Sequence, residues 1–430
     1  MSEFTTLLRN NRNYRYTWSG QIVSEVGDHF NNVAVLSLAV AATHSGAVIA
    51  GIMLSRAIPA IMAGPLAGVL LDRFDRQRIM IASDLVRGVV ALGFILAIGF
   101  SQAWLLYLLS ALLMLASPFF TSGRSAILPS IATDEELHTA NSLTQTTGWL
   151  TLAVGAYFGG TTVAAFGYKL AFVFNSLSFF VSAFCISQLR SPSGNFRAPD
   201  RGLNETKVAR PWHEYREGLA YMVSNPLILG IGLIAVGWAS GGGAAQVLFT
   251  LFSELVFKRG ARGLGQLWGT AGAGLLIGGF VGNWLGRRLK FEAYKRTVFF
   301  CYLLHGGAYI VFSQMRDWRW ALFFMGLSRG SVAVSSVLNW SQLLRHVENR
   351  FRGRVFATIE TMNWSTMMLS MLAAGVASQT YSVRAIGAVS GLLSSSTAIF
   401  WGWANWTGKL PEPAVTTDDV AVEIHGDPTT

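Results

Sequence analysis

Apolar runs of about twenty residues or more recur along the chain, divided by short polar segments. Crossing a hydrocarbon core of about 30 Å takes roughly 20 helical residues. The pattern predicts twelve spanning helices, at 16–42, 46–70, 79–100, 103–123, 140–166, 169–189, 227–253, 264–286, 296–314, 318–342, 354–379 and 384–404. Ala103–Ala116 and Ala385–Trp403 are the clearest runs. Spans 1, 10 and 11 carry many polar groups and read weakly by hydropathy alone. Residues 1–15 are polar, with Arg9, Arg12 and Arg15, and the apolar run that follows is too long for a cleavable leader.

Composition agrees. Hydrophobic residues make up 52% and charged residues 13%, about half the usual soluble share. A soluble fold cannot cover its surface with so few charges. Cys185 and Cys301 lie in apolar runs, with neither metal spacing nor a disulfide framework. The net charge of +10 is not gathered into one patch, which argues against nucleic acid. It alternates between loops instead. With the N-terminus inside, the inner segments hold about 23 Lys and Arg and the outer loops about 7. The expected topology is a multi-pass protein of a cytoplasmic (inner) membrane with both termini cytoplasmic.

The longest interior polar stretch, 190–226, divides six spans from six. It reads as a cytoplasmic linker with an amphipathic helix around Trp212–Met222 lying on the membrane surface. The expected organisation is a six-helix bundle over 1–189, this linker, a second bundle over 227–406 and a disordered acidic tail over 407–430. The halves echo each other at an offset of 214: Gly64, Gly68 and Arg73 match Gly278, Gly282 and Arg287, and Thr144 and Thr147 match Thr358 and Thr361. A duplicated unit about a central linker is the plan of a rocking transporter.

After span 2 the chain reads Gly68-Val-Leu-Leu-Asp72-Arg73-Phe-Asp75-Arg76-Gln-Arg78. This resembles the signature loop of the major facilitator superfamily, Gly-x-Leu-x-Asp-Arg-x-Gly-Arg-Lys/Arg, with Asp75 at the usual glycine and Gln77 breaking the last basic pair. Gly155-Ala-Tyr-Phe-Gly159-Gly160 in span 5 resembles the superfamily's antiporter motif, with Ala156 for proline. Ser19–Asp28, Asp84-Leu-Val-Arg87 and Arg124–Pro129 resemble the branch containing macrolide-efflux proteins and enterobactin exporters. The resemblance implies an all-α membrane protein of two pseudo-symmetric six-helix bundles, with spans 1, 4, 7 and 10 lining a central cavity. It also implies proton-coupled export of a small amphipathic compound, drug or siderophore-like, by a monomer with no cofactor and no metal. A lysophospholipid flippase or metal exporter of the same fold is the runner-up. A non-transporting receptor or assembly factor is the alternative of another class.

Ionisable groups inside a membrane cost about 2.5–3.5 kcal/mol each on insertion scales and so need a reason. Gln21, Ser24, Glu25, Asp28, Asn31 and Asn32 draw one polar line down span 1. Ser328, Arg329, Ser331, Ser335 and Asn339 draw another down span 10, and Glu360 lies in span 11. A proton-coupled carrier needs a carboxylate that gains its proton on one side and loses it on the other. Asp28, Glu25 and Glu360 are the candidates. Gln21, Asn31, Asn32, Arg56, Arg329, Ser335, Asn339 and Trp238 are candidate cavity residues. Gly68, Asp72, Arg73, Arg76, Asp84 and Arg87 are candidates for a conformational latch, beside the plain reading that basic loops fix topology. The structural reading pairs Arg56 with Asp28 or Glu25, pairs Arg329 with Glu360, and sets Asp84 and Arg87 as a brace beside Asp72. Gly155, Gly159 and Gly160 read equally as close helix packing, and Gly241–Gly243 as a hinge or close packing. Phe30, Trp149, Tyr157, Trp238 and Phe249 read as packing or as a stacking surface. Trp318, Trp320, Trp401, Trp403 and Trp406 read as interfacial anchors. No Gly-x-x-x-x-Gly-Lys-Ser/Thr loop is present, so ATP is not the expected drive, and no catalytic constellation is present.

Overall fold

The computed structural model describes residues 3–99, 103–191, 194–197 and 211–413. Fourteen α-helices form among them: α1 Glu3–Asn10, α2 Arg12–Thr43, α3 Gly46–Arg73, α4 Arg76–Ala97, α5 Trp104–Ile131, α6 Asp134–Phe166, α7 Tyr168–Ser187, α8 Pro211–Ser224, α9 Pro226–Leu251, α10 Gly260–Gly286, α11 Phe291–Gln314, α12 Trp318–His346, α13 Asn349–Ala377 and α14 Val383–Trp406. The twelve expected spans are α2–α7 and α9–α14. Ten of them are long and apolar enough to cross a membrane; α2 and α13 are long enough but more polar. The polar stripe of α12 does not disqualify it, contrary to the weak reading of span 10.

Helix ends follow local chemistry. Asn11, Asp75, Thr133 and Asp317 each accept a backbone N–H at the start of α2, α4, α6 and α12, and Thr133 and Glu136 form a capping box. These caps lie outside the apolar runs, so α2 begins before the expected span. Gly167, at φ +79°, turns α6 directly into α7. A π-helical turn, Phe252–Val256, ends α9 and was not foreseen.

Within the first half α2 packs on α6 and α7, and α4 on α5 and α7. Within the second α9 packs on α13 and α14, and α11 on α12 and α14. The halves meet chiefly along α6 against α10 and α3 against α13. Two faces can be distinguished: a terminal face, with α1 and the turn at 74–75, and a far face, with the turns at 44–45 and 378–382. Toward the far face one hydrophobic core runs through both halves, from Val33 and Leu36 to Phe249, Leu264 and Met371. Toward the terminal face the core divides in two. One part surrounds Tyr14, Met80 and Ile127 and the other surrounds Ile231, Tyr294 and Leu338. The molecule is therefore sealed at the far face and parted at the terminal face.

The linker helix α8 forms where expected, but its apolar side is docked on protein. Met222 is fully buried, Tyr221 stacks on Phe351 at 4.5 Å, and Glu217 meets Arg354 at 2.9 Å. α8 thus packs on α9 and α13, while its Trp212 and Val223 stay exposed. Of the tail, 414–430 lies outside the described residues, as does 198–210 of the linker. Leu410 is buried and its carbonyl accepts from Lys295 Nζ at 2.9 Å.

Candidate functional site

The polar line on α2 is built from residues three and four apart, so one helix face carries all of it. Glu25 is its best-connected member. Gln21 Nε2 and Arg124 Nη1 reach Oε1 at 2.9 and 3.3 Å, and Thr151 Oγ1 donates to Oε2 at 2.8 Å. Gln21 Nε2 also donates to the Thr144 carbonyl at 3.1 Å. Glu25 therefore ties α2 to α5 and α6. Its ion pair with Arg124 retains side-chain exposures of 26% and 19%, so water reaches it. A small cavity lined by Trp18, Gln21, Arg124, Asn141 and Thr144 lies on its terminal side. Arg124 and Thr151 were not picked out from the sequence as site residues.

One turn along, Asp28 is held differently. Its Oδ1 is buried and makes no hydrogen bond within the described protein. No ion pair or hydrogen bond joins Asp28 to Glu25 among the described residues. A further turn along, Asn32 Oδ1 accepts from Arg56 Nη1 at 2.6 Å. Arg56 thus pins α3 to α2 through an amide, and the expected pairing with Asp28 or Glu25 does not form. The line from the terminal side reads Gln21, Glu25 with Arg124, Asp28, then Asn32 with Arg56. Asn31 is buried on the flank of this line with both side-chain polar atoms unsatisfied.

Asp84 and Arg87 contact each other in the interior of the first half, and the guanidinium lies over Phe120 and Phe179 at 4.7 and 4.4 Å. They are buried among rings of α5 and α7, contrary to the expected brace beside Asp72. Asp72 and Arg73 are exposed, and a β-carbon on Gly64 or Gly68 would meet nothing within 4 Å. Arg76 Nη1 donates to the Ala126 carbonyl at 2.7 Å. The two departures from the signature loop have tasks of their own. Asp75 caps α4 and accepts from the Phe196 N–H at 3.2 Å, and Gln77 Nε2 donates to the Ile186 carbonyl at 2.8 Å.

The three motif glycines divide. Gly155 and Gly159 let α6 approach α2 at His29 and Phe30, and Gly160 lets α6 meet the backbone of α10 at Ala261 and Gly265. Only Gly160 lies on the seam between halves, which a hydrogen bond from Ser37 of α2 to Glu254 of the π-helical turn also crosses.

In the second half the polar stripe of α12 turns inward. Ser328 Oγ meets His305 Nδ1 at 2.8 Å, Asn339 Oδ1 accepts from Tyr294 Oη at 2.9 Å, and Ser335 is fully buried. α11 partners Ser328 and Asn339, so the stripe fastens two helices, while the Ser335 hydroxyl has no hydrogen-bond partner among the described residues. Arg329 lies over Phe249 and Tyr309 at 5.2 and 5.9 Å, while Glu360 is exposed and accepts from Trp364 Nε1 at 3.0 Å. The expected Arg329–Glu360 pair does not form. Gly241 and Gly243 press against the Ser390 and Met367 carbonyls inside a continuous α9, the close-packing alternative. Trp238 is half-buried with its indole N–H unsatisfied. Phe30 and Phe249 are core residues. Trp318 and Trp401 are buried and donate to Gln266 Oε1 and the Lys295 carbonyl, both at 2.9 Å, while Trp320, Trp403 and Trp406 are exposed.

Comparison with known proteins agrees with this architecture. The chain is 28% identical over 355 residues to the proposed bacilysin exporter BacE of Bacillus amyloliquefaciens, covering 81% of this chain and 84% of that one. It is 23% identical over 284 residues to macrolide efflux protein A of Streptococcus pyogenes, covering 64% and 68%. Its fold matches the crystal structure of a bacterial homologue of the iron transporter ferroportin in the inward-facing state. The TM-score is 0.66 at 17% identity, covering 91% of this chain and 98% of that one. The Major Facilitator Superfamily model matches residues 17–365. A polar-lined first span, two six-helix halves, a seam closed on one face only and this match place the chain in the Major Facilitator Superfamily, a family of membrane transporters and not of enzymes.

Proposed function

We propose that this transporter exports a small amphipathic compound, drug or siderophore-like, in exchange for protons. The terminal face is the cytoplasmic one, since it carries most of the Lys and Arg outside the spans. The protein acts as a monomer in the cytoplasmic membrane, and the bundles at 1–189 and 227–406 rock about the 190–226 linker. The related BacE and macrolide efflux protein A, by their names, support export.

The observation that carries the reading is the contrast between two acids one turn apart on α2. Glu25 is engaged by Arg124, Gln21 and Thr151, whereas Asp28 keeps a buried oxygen with no protein donor. Asp28 is the proton carrier in this account. Glu25 and Arg124 link it to the water of the terminal cleft. A proton reaches Asp28 when the carrier is open to the far face, and compound is released there. The proton-loaded carrier turns to the terminal face, where deprotonation readies it for the next compound. One charge crossing 100 mV supplies about 2.3 kcal/mol. Glu360, exposed on α13 and bonded to Trp364, is the second half's candidate for proton exchange.

The test is efflux from proteoliposomes under an imposed pH gradient, with the compound first identified by growth of an expressing strain against antibiotics and siderophores. Asp28→Asn should lower gradient-driven efflux at least about tenfold and flatten its pH dependence. Efflux with unchanged pH dependence would remove Asp28 from the relay.

A further inference from the structure

We propose that the second half contains a binding site for a small monovalent inorganic anion, chloride being the physiological one, with Arg329 as its main ligand. Arg329 is 92% buried, being 8% exposed, and guanidinium does not lose its charge in proteins. Such a charge needs an opposite one. Among the described residues no carboxylate forms an ion pair with it. Six acids of this half have other partners among the described residues. Glu217 meets Arg354, Glu292 meets Lys295 and Glu348 meets Arg350. Glu254 bonds Ser37, Asp317 caps α12 and Glu360 accepts from Trp364. The aromatic faces of Phe249 and Tyr309, at 5.2 and 5.9 Å, offer only partial compensation.

A second observation points to a ligand. The Tyr309 hydroxyl is buried with no hydrogen-bond partner among the described residues. It and Arg329 line one cavity together with Gly241, Gly242, Ala245, His305, Ser390 and Ser394. The other polar groups there are already used. His305 Nδ1 meets Ser328, Nε2 meets Ser394 Oγ at 2.9 Å, and Ser390 Oγ donates to the Ile386 carbonyl at 2.7 Å. What remains is one cation and one free hydroxyl, a set whose positive charge attracts an anion and repels a cation. The cavity leaves about 10 Å³ for the centre of a water-sized sphere. That is about the least room that holds one particle, which disfavours a carboxylate more than a monatomic halide. The site is independent of proton carriage by Asp28.

The experiment is thermal unfolding of the purified full-length protein in sodium chloride against sodium gluconate at equal ionic strength. A ligand that binds only the folded protein raises its melting temperature. Chloride and bromide should each raise it by roughly 2–4 °C relative to gluconate. Arg329→Met should lose the halide response and melt in gluconate at or above the wild-type temperature, because it removes an uncompensated charge. Tyr309→Phe should keep the response but need several-fold more chloride. No halide effect on the wild type would overturn the proposal, as would a response that persists in Arg329→Met. Stabilisation by formate or acetate but not chloride would also overturn it, and would instead make the site a receptor for the carboxylate of the transported compound.

Discussion

At the scale of single residues, the sequence exposed the face but not the neighbour. The period of α2 put Gln21, Glu25, Asp28 and Asn32 on one line, and the structure keeps that line. It could not say which helix each residue meets. Arg124 lies 99 residues from Glu25 and Thr151 lies 126, so only the packing of α5 and α6 against α2 brings them together. The two mispaired arginines fail for the same reason. Both Arg56 and Arg329 have an acid at a plausible depth, yet the helix rotations deliver an asparagine to one and two aromatic rings to the other. The Glu25–Arg124 pair gives a direct test. Arg124→Gln should destabilise the folded protein by about 1–3 kcal/mol, because Glu25 loses its counter-charge in a half-dry site. Adding Glu25→Gln to it should restore part of that loss. Denaturation of the single and double variants measures the coupling, and strict additivity would show that the pair contributes nothing as a unit.

At the scale of elements, what the chain's periodicity conveyed best was the number and order of helices. Apolar length dictates them, and α8 appeared within a residue or two of its expected place. The docking of α8 was hidden, since an amphipathic face looks the same whether it meets lipid or α13. The π-helical turn at Phe252–Val256 left no signal because it changes backbone hydrogen bonding without a proline or glycine inside it. The glycine motif on α6 separates into positions of different consequence. Gly155→Ala presses on α2 within one half, and should lower stability without changing which face is open. Gly160→Val would push against the Ala261 carbonyl and Gly265 across the seam. It should loosen the far face. A cysteine placed at Ser378, which packs on Gly46 of α3 across that seam, reads the difference. Its labelling by a membrane-impermeant maleimide should rise several-fold with Gly160→Val and stay unchanged with Gly155→Ala. Equal labelling in both would mean that Gly160 is ordinary packing.

At the scale of the whole molecule, the divided core goes with a signature loop that is only partly engaged. Gly64 and Gly68 of α3 face open space and Asp72 and Arg73 are exposed, while Arg76 and Gln77 are tied to backbone carbonyls of the first half. Composition and the repeat pointed to two similar halves, but no sequence pattern reports which face of the seam is shut. The central claim is that protonation of Asp28 governs that choice. It is tested most directly by spin-label distances between the terminal ends of α3 and α13, with labels at Gly68→Cys and Ala357→Cys after replacing Cys185 and Cys301. In the proton-loaded carrier the terminal face should be open. Acidification should therefore move the wild-type distribution toward the longer distance, and Asp28→Asn should hold that distance at every pH. A wild-type distribution that ignores pH, or an Asp28→Asn protein that follows pH as the wild type does, would contradict the account.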